Sequence, residues 1–274
     1  MKNQLPTAKV YLVKDTGLVK VHSLVSPGPL FANATHIIEL PNELILVDGQ
    51  FFAQYGQEFR NLADSLKKPI TRFYVTHDHP DHYLGMGDAF ADAAVYALPE
   101  IIDSLAEHGP KELAEKQHHM NDLIARRLSL PTQIVQPGEE IIDGVKFIFE
   151  RVLNTESPTT LVIKLPELQI AIVQDILYHN THAFITGSLD GWKTAITALR
   201  EDVAYDIYLP GHGKPADKSD LDNALAYLEK IEAILINTNN SELYKNEVLA
   251  TYPNYAGAKL IDIYIPILFK INSK

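Results

Sequence analysis

The chain has 274 residues, 46% of them hydrophobic, and a formal charge of −11. That is enough apolar material for a sizeable core, and too acidic, with no basic block, for nucleic acid or an anionic membrane surface to be a partner. It has no cysteine, which excludes disulfides and cysteine nucleophiles and leaves only nitrogen and oxygen donors for any metal.

Residues 1–13 contain no long apolar core, so no signal peptide is expected and the expected location is cytoplasmic. No apolar run reaches membrane-spanning length. Residues 10–13 and 18–24 read as short strands around the turn Asp15-Thr16-Gly17. Residues 35–40 and 44–47 read as a hairpin closed by Asp48-Gly49, with His36 expected as an ordinary strand histidine. Tyr55, Phe59, Leu62 and Leu66 recur at helical spacing, so 54–66 should be a helix with one buried face. A strand at 72–75 then leads into Thr76-His77-Asp78-His79-Pro80-Asp81-His82, followed by an apolar segment at 84–90. Beyond it come a strand at 95–97 and two helices, 99–106 and 111–128. His118 and His119 belong to the solvated face of the second.

Strands at 133–135, 140–142 and 145–151 follow, the last two joined through Asp143-Gly144. Residues 161–165 and 168–173 form another hairpin, and Asp175 ends its second strand. A helix at 188–199 carries Trp192, Ile196 and Leu199 on one side. The strand 205–209 delivers His212 in Pro210-Gly211-His212-Gly213. Leu221, Leu225, Leu228, Ile231 and Leu235 mark a covering helix over 217–236. The tail from about 241 carries Tyr252, Tyr255, Tyr264 and Phe269. It is too apolar to be disordered, and it either folds over the body or meets another subunit in a homo-oligomer. No linker divides the chain, so 1–274 reads as one domain with this tail as an extension.

The segment from His77 to His82 holds three histidines and two aspartates. In an extended loop His77 and His79 point the same way. Asp81 and His82 enter the following turn, which can carry them round the same cavity. Imidazole and carboxylate together suit zinc, iron or manganese.

This segment, Asp175 and the Pro-Gly-His-Gly loop resemble, in order, the signature of the metallo-β-lactamase fold superfamily over about 34–215. The resemblance implies a four-layer αββα sandwich of two mixed β-sheets in the α/β class, with the site at one edge. It implies one or two divalent transition-metal ions, zinc foremost, held by His77, His79, Asp81, His82, Asp175 and His212, and Asp48 supporting the loop from behind. The family's third histidine falls in a Ser/Thr-Pro-like segment. Here, in Thr155-Glu156-Ser157-Pro158, Glu156 stands in its place. A carboxylate ligand there is harder than imidazole and strengthens the claim of iron or manganese beside zinc.

The implied activity is metal-dependent hydrolysis of a small ester, lactone or related carbonyl substrate, with Asp81 as the catalytic residue that orients the nucleophile. Tyr178 or His182, just after Asp175, would contact that small-molecule substrate. An iron-dependent enzyme like the sulfur dioxygenases of the same fold, and a non-catalytic metal-binding module, are the alternatives.

Overall fold

The computed structural model describes residues 4–186 and 189–271. Its first sheet runs in sequence order: β1 (Lys9–Asp15), β2 (Lys20–Val25), β3 (Ala34–Glu39), β4 (Leu44–Val47), β5 (Ile70–Tyr74), β6 (Val95–Ala97) and β7 (Gln133–Ile134). The first four pair antiparallel, the rest parallel. The second sheet comprises β8 (Gly138–Ile142), β9 (Val145–Leu153), β10 (Thr159–Leu165), β11 (Ile170–Tyr178), β12 (Ile207–His212) and β13 (Ala216–Asp217), in the order β13-β12-β11-β10-β9-β8. Only β11 and β12 pair parallel in it. Both sheets are therefore mixed.

Strand β11 shows how the layers stack. Ile170 and Ile172 belong to the apolar cluster shared with the first sheet, whereas Ala171 and Val173 belong to a second cluster with the later helices. Side chains alternate across a strand, so both faces of the second sheet are buried. Helices α1 (Ala53–Ser65), α2 (Pro80–Tyr83) and α3 (Pro99–Met120) belong with the first sheet. Helices α4 (Asp190–Glu201), α5 (Lys218–Asn237), α6 (Ser241–Thr251) and α7 (Ala258–Ile271) lie with the second. The result is the four-layer αββα sandwich expected from the sequence.

Three expected boundaries differ. Helix α3 runs unbroken through Gly109-Pro110 and stops at Met120. Ile101, Leu105 and Gly109 are buried at four-residue spacing, and that packing outweighs the one helical bond Pro110 cannot donate. The segment after His82 is not a full helix: α2 gives way to a single 3-10 turn at Leu84–Met86. Strand β11 continues past Asp175 to Tyr178. Its register slips at Gln174, whose φ is 44°, so Asp175 sits beyond a bulge and not at a strand end. The expected helix start at Ser188 lies outside the described residues; α4 is described from Asp190, with Trp192, Ile196 and Leu199 buried. The tail is helical, and Tyr244, Val248, Leu260, Ile261 and Tyr264 pack into the second cluster. No described helix is long and apolar enough to cross a membrane.

Candidate metal centre

The site forms where the two sheets meet at one edge. Strand β5 ends at Tyr74, and Thr76 is then pinned between the sheets. Its N–H donates to Asp48 Oδ1 at 2.8 Å, while its carbonyl accepts from Leu161 N–H at 2.8 Å. Pro80 starts α2 and His82 N–H donates to the carbonyl of His79 at 3.0 Å. This one turn folds Asp81 and His82 back beside His77.

The second sheet supplies the other side. Asp175 lies centrally: its Oδ2 is 3.6 Å from His77 Nε2 and 3.3 Å from His212 Nε2, and its Oδ1 is 3.2 Å from His82 Nε2. Asp81 Oδ2 is 3.1 Å from His212 Nε2 and 3.7 Å from His82 Nε2. Glu156 Oε1 is 3.0 Å from His79 Nδ1. The donors thus fall into two clusters, His77, His79, Glu156 with Asp175, and Asp81, His82 with His212, each with its donor atoms within 4.8 Å of one another. Asp48, His77 and His82 form a third grouping. However, Asp48 already accepts from Thr76 N–H, Thr76 Oγ1, His82 Nδ1 and Gln174 Nε2, so it is an acceptor spent on positioning.

The far nitrogens are committed to the protein. His82 Nδ1 donates to Asp48 at 2.8 Å and His212 Nδ1 to the carbonyl of Phe31 at 2.7 Å. That leaves each Nε2 facing the cluster. His77 Nε2, His82 Nε2, both oxygens of Glu156 and Asp175 Oδ1 are buried and make no hydrogen bond. Buried polar atoms left so cost roughly 1–3 kcal/mol each. A divalent cation bound by nitrogen and oxygen donors would satisfy all of them together, so the residues fit such an ion.

Electrostatics bind the same groups to one another. Burial alone would lower His212, but Asp175 and Asp81 outweigh it and raise its pKa to about 10. Burial is likewise outweighed at His79, which Glu156 raises to about 9. Burial would raise the Asp175 carboxyl, yet His82, His212 and His77 hold it well below the usual carboxylate range. Only His79 and Asp81 reach solvent appreciably, with side chains 24% and 18% exposed, so they mark the open face.

Gly211 makes the close approach possible. A Cβ there would collide with Asp175 Oδ1 and lie 3.0 Å from His82 Cε1. Gly191 plays a similar part for the Glu156 loop, since a Cβ on it would meet the carbonyl of Asn154.

Comparison with solved structures places this architecture. A metallo-β-lactamase from Pontibacter korlensis superposes with a TM-score of 0.61 and 18% identity, covering 81% of this chain and 99% of its own. The chain has the metallo-β-lactamase fold. No protein-family model matches it. Among curated proteins it is similar to a linear primary-alkylsulfatase of a Pseudomonas species, 24% identical over 261 residues, covering 80% of this chain and 47% of the relative. It is also similar to an alkyl/aryl-sulfatase of Saccharomyces cerevisiae, 24% identical over 180 residues, covering 53% of this chain and 28% of the relative. The chain therefore spans less than half the length of these curated relatives.

Within the metallo-β-lactamase fold the structure brings together His77, His79, Asp81, His82, Glu156, Asp175 and His212. Tyr178 lies beside them: its hydroxyl donates to Asp175 Oδ2 at 2.5 Å and its ring stacks on His212 at 4.6 Å. His182 is not brought to the cluster. It is buried, 3.3 Å from the Tyr227 hydroxyl, and its ring packs against Tyr255. His179 faces Asp220 at 3.3 Å.

Four neighbours carried no sequence signal. Asn33 Nδ2 stands 3.5 Å from Asp81 Oδ2, the Phe31 carbonyl holds His212, the Phe184 ring packs edge-on against His79 at 5.5 Å, and Gln174 reaches Asp48. The Asn33–His212 backbone bridge relates one of them to a motif, and pairing at that distance in sequence is invisible to local pattern.

Proposed function

We propose that this protein is a metal-dependent hydrolase that opens an ester or related carbonyl bond in a small molecule. What carries the reading is the pair of donor clusters meeting at Asp175, with inward atoms that lack any other partner. One ion would be held by His77, His79, Glu156 and Asp175, a second by Asp81, His82, His212 and Asp175. The donor set suits zinc, and the Glu156 carboxylate widens the choice to iron or manganese.

When bound, such an ion lowers the pKa of its water from ~15.7 to about 7 and polarises a carbonyl or phosphoryl oxygen. The chain does the rest. Asp81, at the open face, takes the proton of the attacking water and returns it to the leaving group. His212 Nε2 faces the same carboxylate at 3.1 Å, so both can reach one ion. Tyr178 donates to Asp175 Oδ2, the oxygen that also faces His77 and His212, and Phe184 gives the opening an apolar wall beside His79. Since the chain has no cysteine and no Gly-x-Ser-x-Gly segment, water is the nucleophile.

A second reading follows from the curated relatives, a linear primary-alkylsulfatase and an alkyl/aryl-sulfatase: the ester can be a sulfate ester. The test is a panel of carboxylic esters, lactones, thioesters, phosphodiesters and primary alkyl sulfates. Turnover of at least one class should vanish with a chelator and return with zinc, iron or manganese. Protein of verified metal content that turns over none of them would overturn the hydrolase reading in favour of a metal-binding module.

A further inference from the structure

Behind the two clusters lies a chain of polar side chains that no reaction step uses. Ser23, His36, Asp48, Thr76 and Gln174 are all fully buried. They come from both sheets: Ser23 and His36 from neighbouring strands β2 and β3, Asp48 from the exit of β4, and Gln174 from β11. Ser23 Oγ lies 2.8 Å from His36 Nδ1, and His36 Nε2 lies 3.2 Å from Gln174 Oε1. Gln174 Nε2 donates to Asp48 Oδ2 at 2.5 Å.

The direction of every hydrogen bond in this chain is fixed by chemistry. A carboxylate only accepts, so Gln174 must present its NH2 to Asp48 and its carbonyl to His36. His36 Nε2 must then carry the proton. Its Nδ1 is consequently an acceptor, and Ser23 donates to it. Burial lowers the pKa of His36 to about 4 against the opposing pull of Gln174 and Asp48, which keeps the ring neutral, with one donor and one acceptor. The same rule governs the other side of Asp48. The Thr76 hydroxyl donates to Asp48 at 2.7 Å, so its oxygen accepts from His77 Nδ1 at 3.0 Å, and His82 Nδ1 donates to Asp48 at 2.8 Å. Both His77 and His82 are thereby held through Nδ1, with Nε2 facing the donor clusters.

The backbone shows what this arrangement costs. Gln174 has φ 44° and Asp48 has φ 58°, a region that β-carbon-bearing residues enter rarely. Gln174 thus keeps a strained backbone, fully buried, where glycine would sit without strain. Its side chain is the only described one that joins Asp48 to His36.

We infer that Gln174 and His36 are positioning residues: through Asp48 they fix the Nδ1–H bonds and aim of His77 and His82, one ligand in each cluster. This rests on the metal-centre reading, yet its first consequence concerns the histidine Nδ1–H bonds and can be read without any metal. The alternative is a merely structural polar contact between the sheets.

Two substitutions separate the readings. Gln174→Gly removes the amide and the strain together; Gln174→Met removes the amide and keeps the strain. The readouts are the hydrogen-bonded Nδ1–H protons of His77 and His82 from NMR of the metal-free protein, and zinc affinity by competition with a chromophoric chelator. In the parent, His77 and His82 should each show one downfield, hydrogen-bonded Nδ1–H signal. In both variants that signal should weaken or move upfield, and zinc affinity should fall about 10- to 100-fold, the usual effect of removing a partner behind a ligand. The melting temperature of metal-free Gln174→Gly should stay within about 4 °C of the parent. His36→Leu, one bond further out, should give a smaller loss in the same direction. Parent-like Nδ1–H signals and zinc affinity in Gln174→Gly would overturn the inference. A parent that binds no zinc, iron or manganese would overturn the metal-centre reading instead, while the Nδ1–H measurement would still decide this one.

Discussion

The two donor clusters differ in how firmly they are held. In the second, His82 is anchored on Asp48 at 2.8 Å and His212 on the Phe31 carbonyl at 2.7 Å, both through the nitrogen that faces away from the cluster. In the first, only His77 has such an anchor, through Thr76 at 3.0 Å. His79 instead turns its Nδ1 towards Glu156, another member of the cluster, and neither Glu156 oxygen makes a hydrogen bond. The second cluster is therefore organised in advance, whereas two members of the first rest mainly on each other. Organisation in advance lowers the cost of binding. The second cluster should hold its ion more tightly, and the first should be the one whose occupant changes with conditions.

The largest effect should come from erasing the difference altogether. Gly211→Ala places a methyl group against Asp175, which serves both clusters, and against His82. Metal retention should fall at least about 100-fold at both, measured as metal content after dialysis against a weak chelator. Unchanged content would mean that the edge between the sheets yields more than its packing implies.

His82→Ala attacks the anchored cluster alone. It should remove the more tightly held ion and leave the one between His77, His79 and Glu156. An ion present at 100 times its Kd contributes ~2.7 kcal/mol of stability, so the zinc-dependent rise in melting temperature should shrink by roughly 5–10 °C. Loss of the weaker ion with retention of the tighter one would reverse the ranking of the clusters.

Glu156 tests the softer cluster. Glu156→His should raise zinc retention there, since imidazole suits zinc and removes a negative charge, and Glu156→Ala should lower it, each by about 10-fold. Neither should disturb Asp81, His82 and His212. Identical metal content in parent and both variants would remove Glu156 from the ligand set.

The smallest effect is a pH dependence in the metal-stripped protein. Glu156 holds His79 up to about 9 and Asp175 holds His212 up to about 10, each against the lowering effect of burial. A histidine whose pKa is raised by folding contributes stability in full below its unfolded value near 6.5, and loses it as pH rises through the folded value. Melting temperature should thus decline from about pH 6.5 towards 10. The part ending near 9 should disappear in His79→Gln and the part ending near 10 in His212→Gln. A melting temperature flat over that range would show that the ion pairs do not contribute.

Much of this architecture is legible in local pattern. The ligand loop is contiguous from His77 to His82, and Gly211-His212-Gly213 sits in a short, distinctive turn, so both can be seen without knowing what they meet. Strand and helix periodicity marks most of the elements, and the αββα layering is what the resemblance of these motifs implies. Gln174 is different, because its role depends on a bulge that turns it towards Asp48, 126 residues away. A glutamine in an apolar strand gives no sign of positive φ. His36 looks like any strand histidine until Ser23 and Gln174 are seen at its two nitrogens. The two helices expected at 99–106 and 111–128 are joined in α3, where the burial of Ile101, Leu105 and Gly109 carries the helix through Pro110. Tyr178 reads as part of a pocket loop, but β11 continues through it and commits its hydroxyl to Asp175. In each case long-range packing decides what the local residue types leave open.

The central claim is that the inward donor atoms hold metal in two places that share Asp175. Anomalous diffraction from zinc-loaded crystals tests it most directly. The account predicts one peak among His77, His79, Glu156 and Asp175 and a stronger one among Asp81, His82, His212 and Asp175, each about 2.0–2.3 Å from its ligand atoms. A map with no peak at either position, or with its only peak between Asp48, His77 and His82, would contradict it.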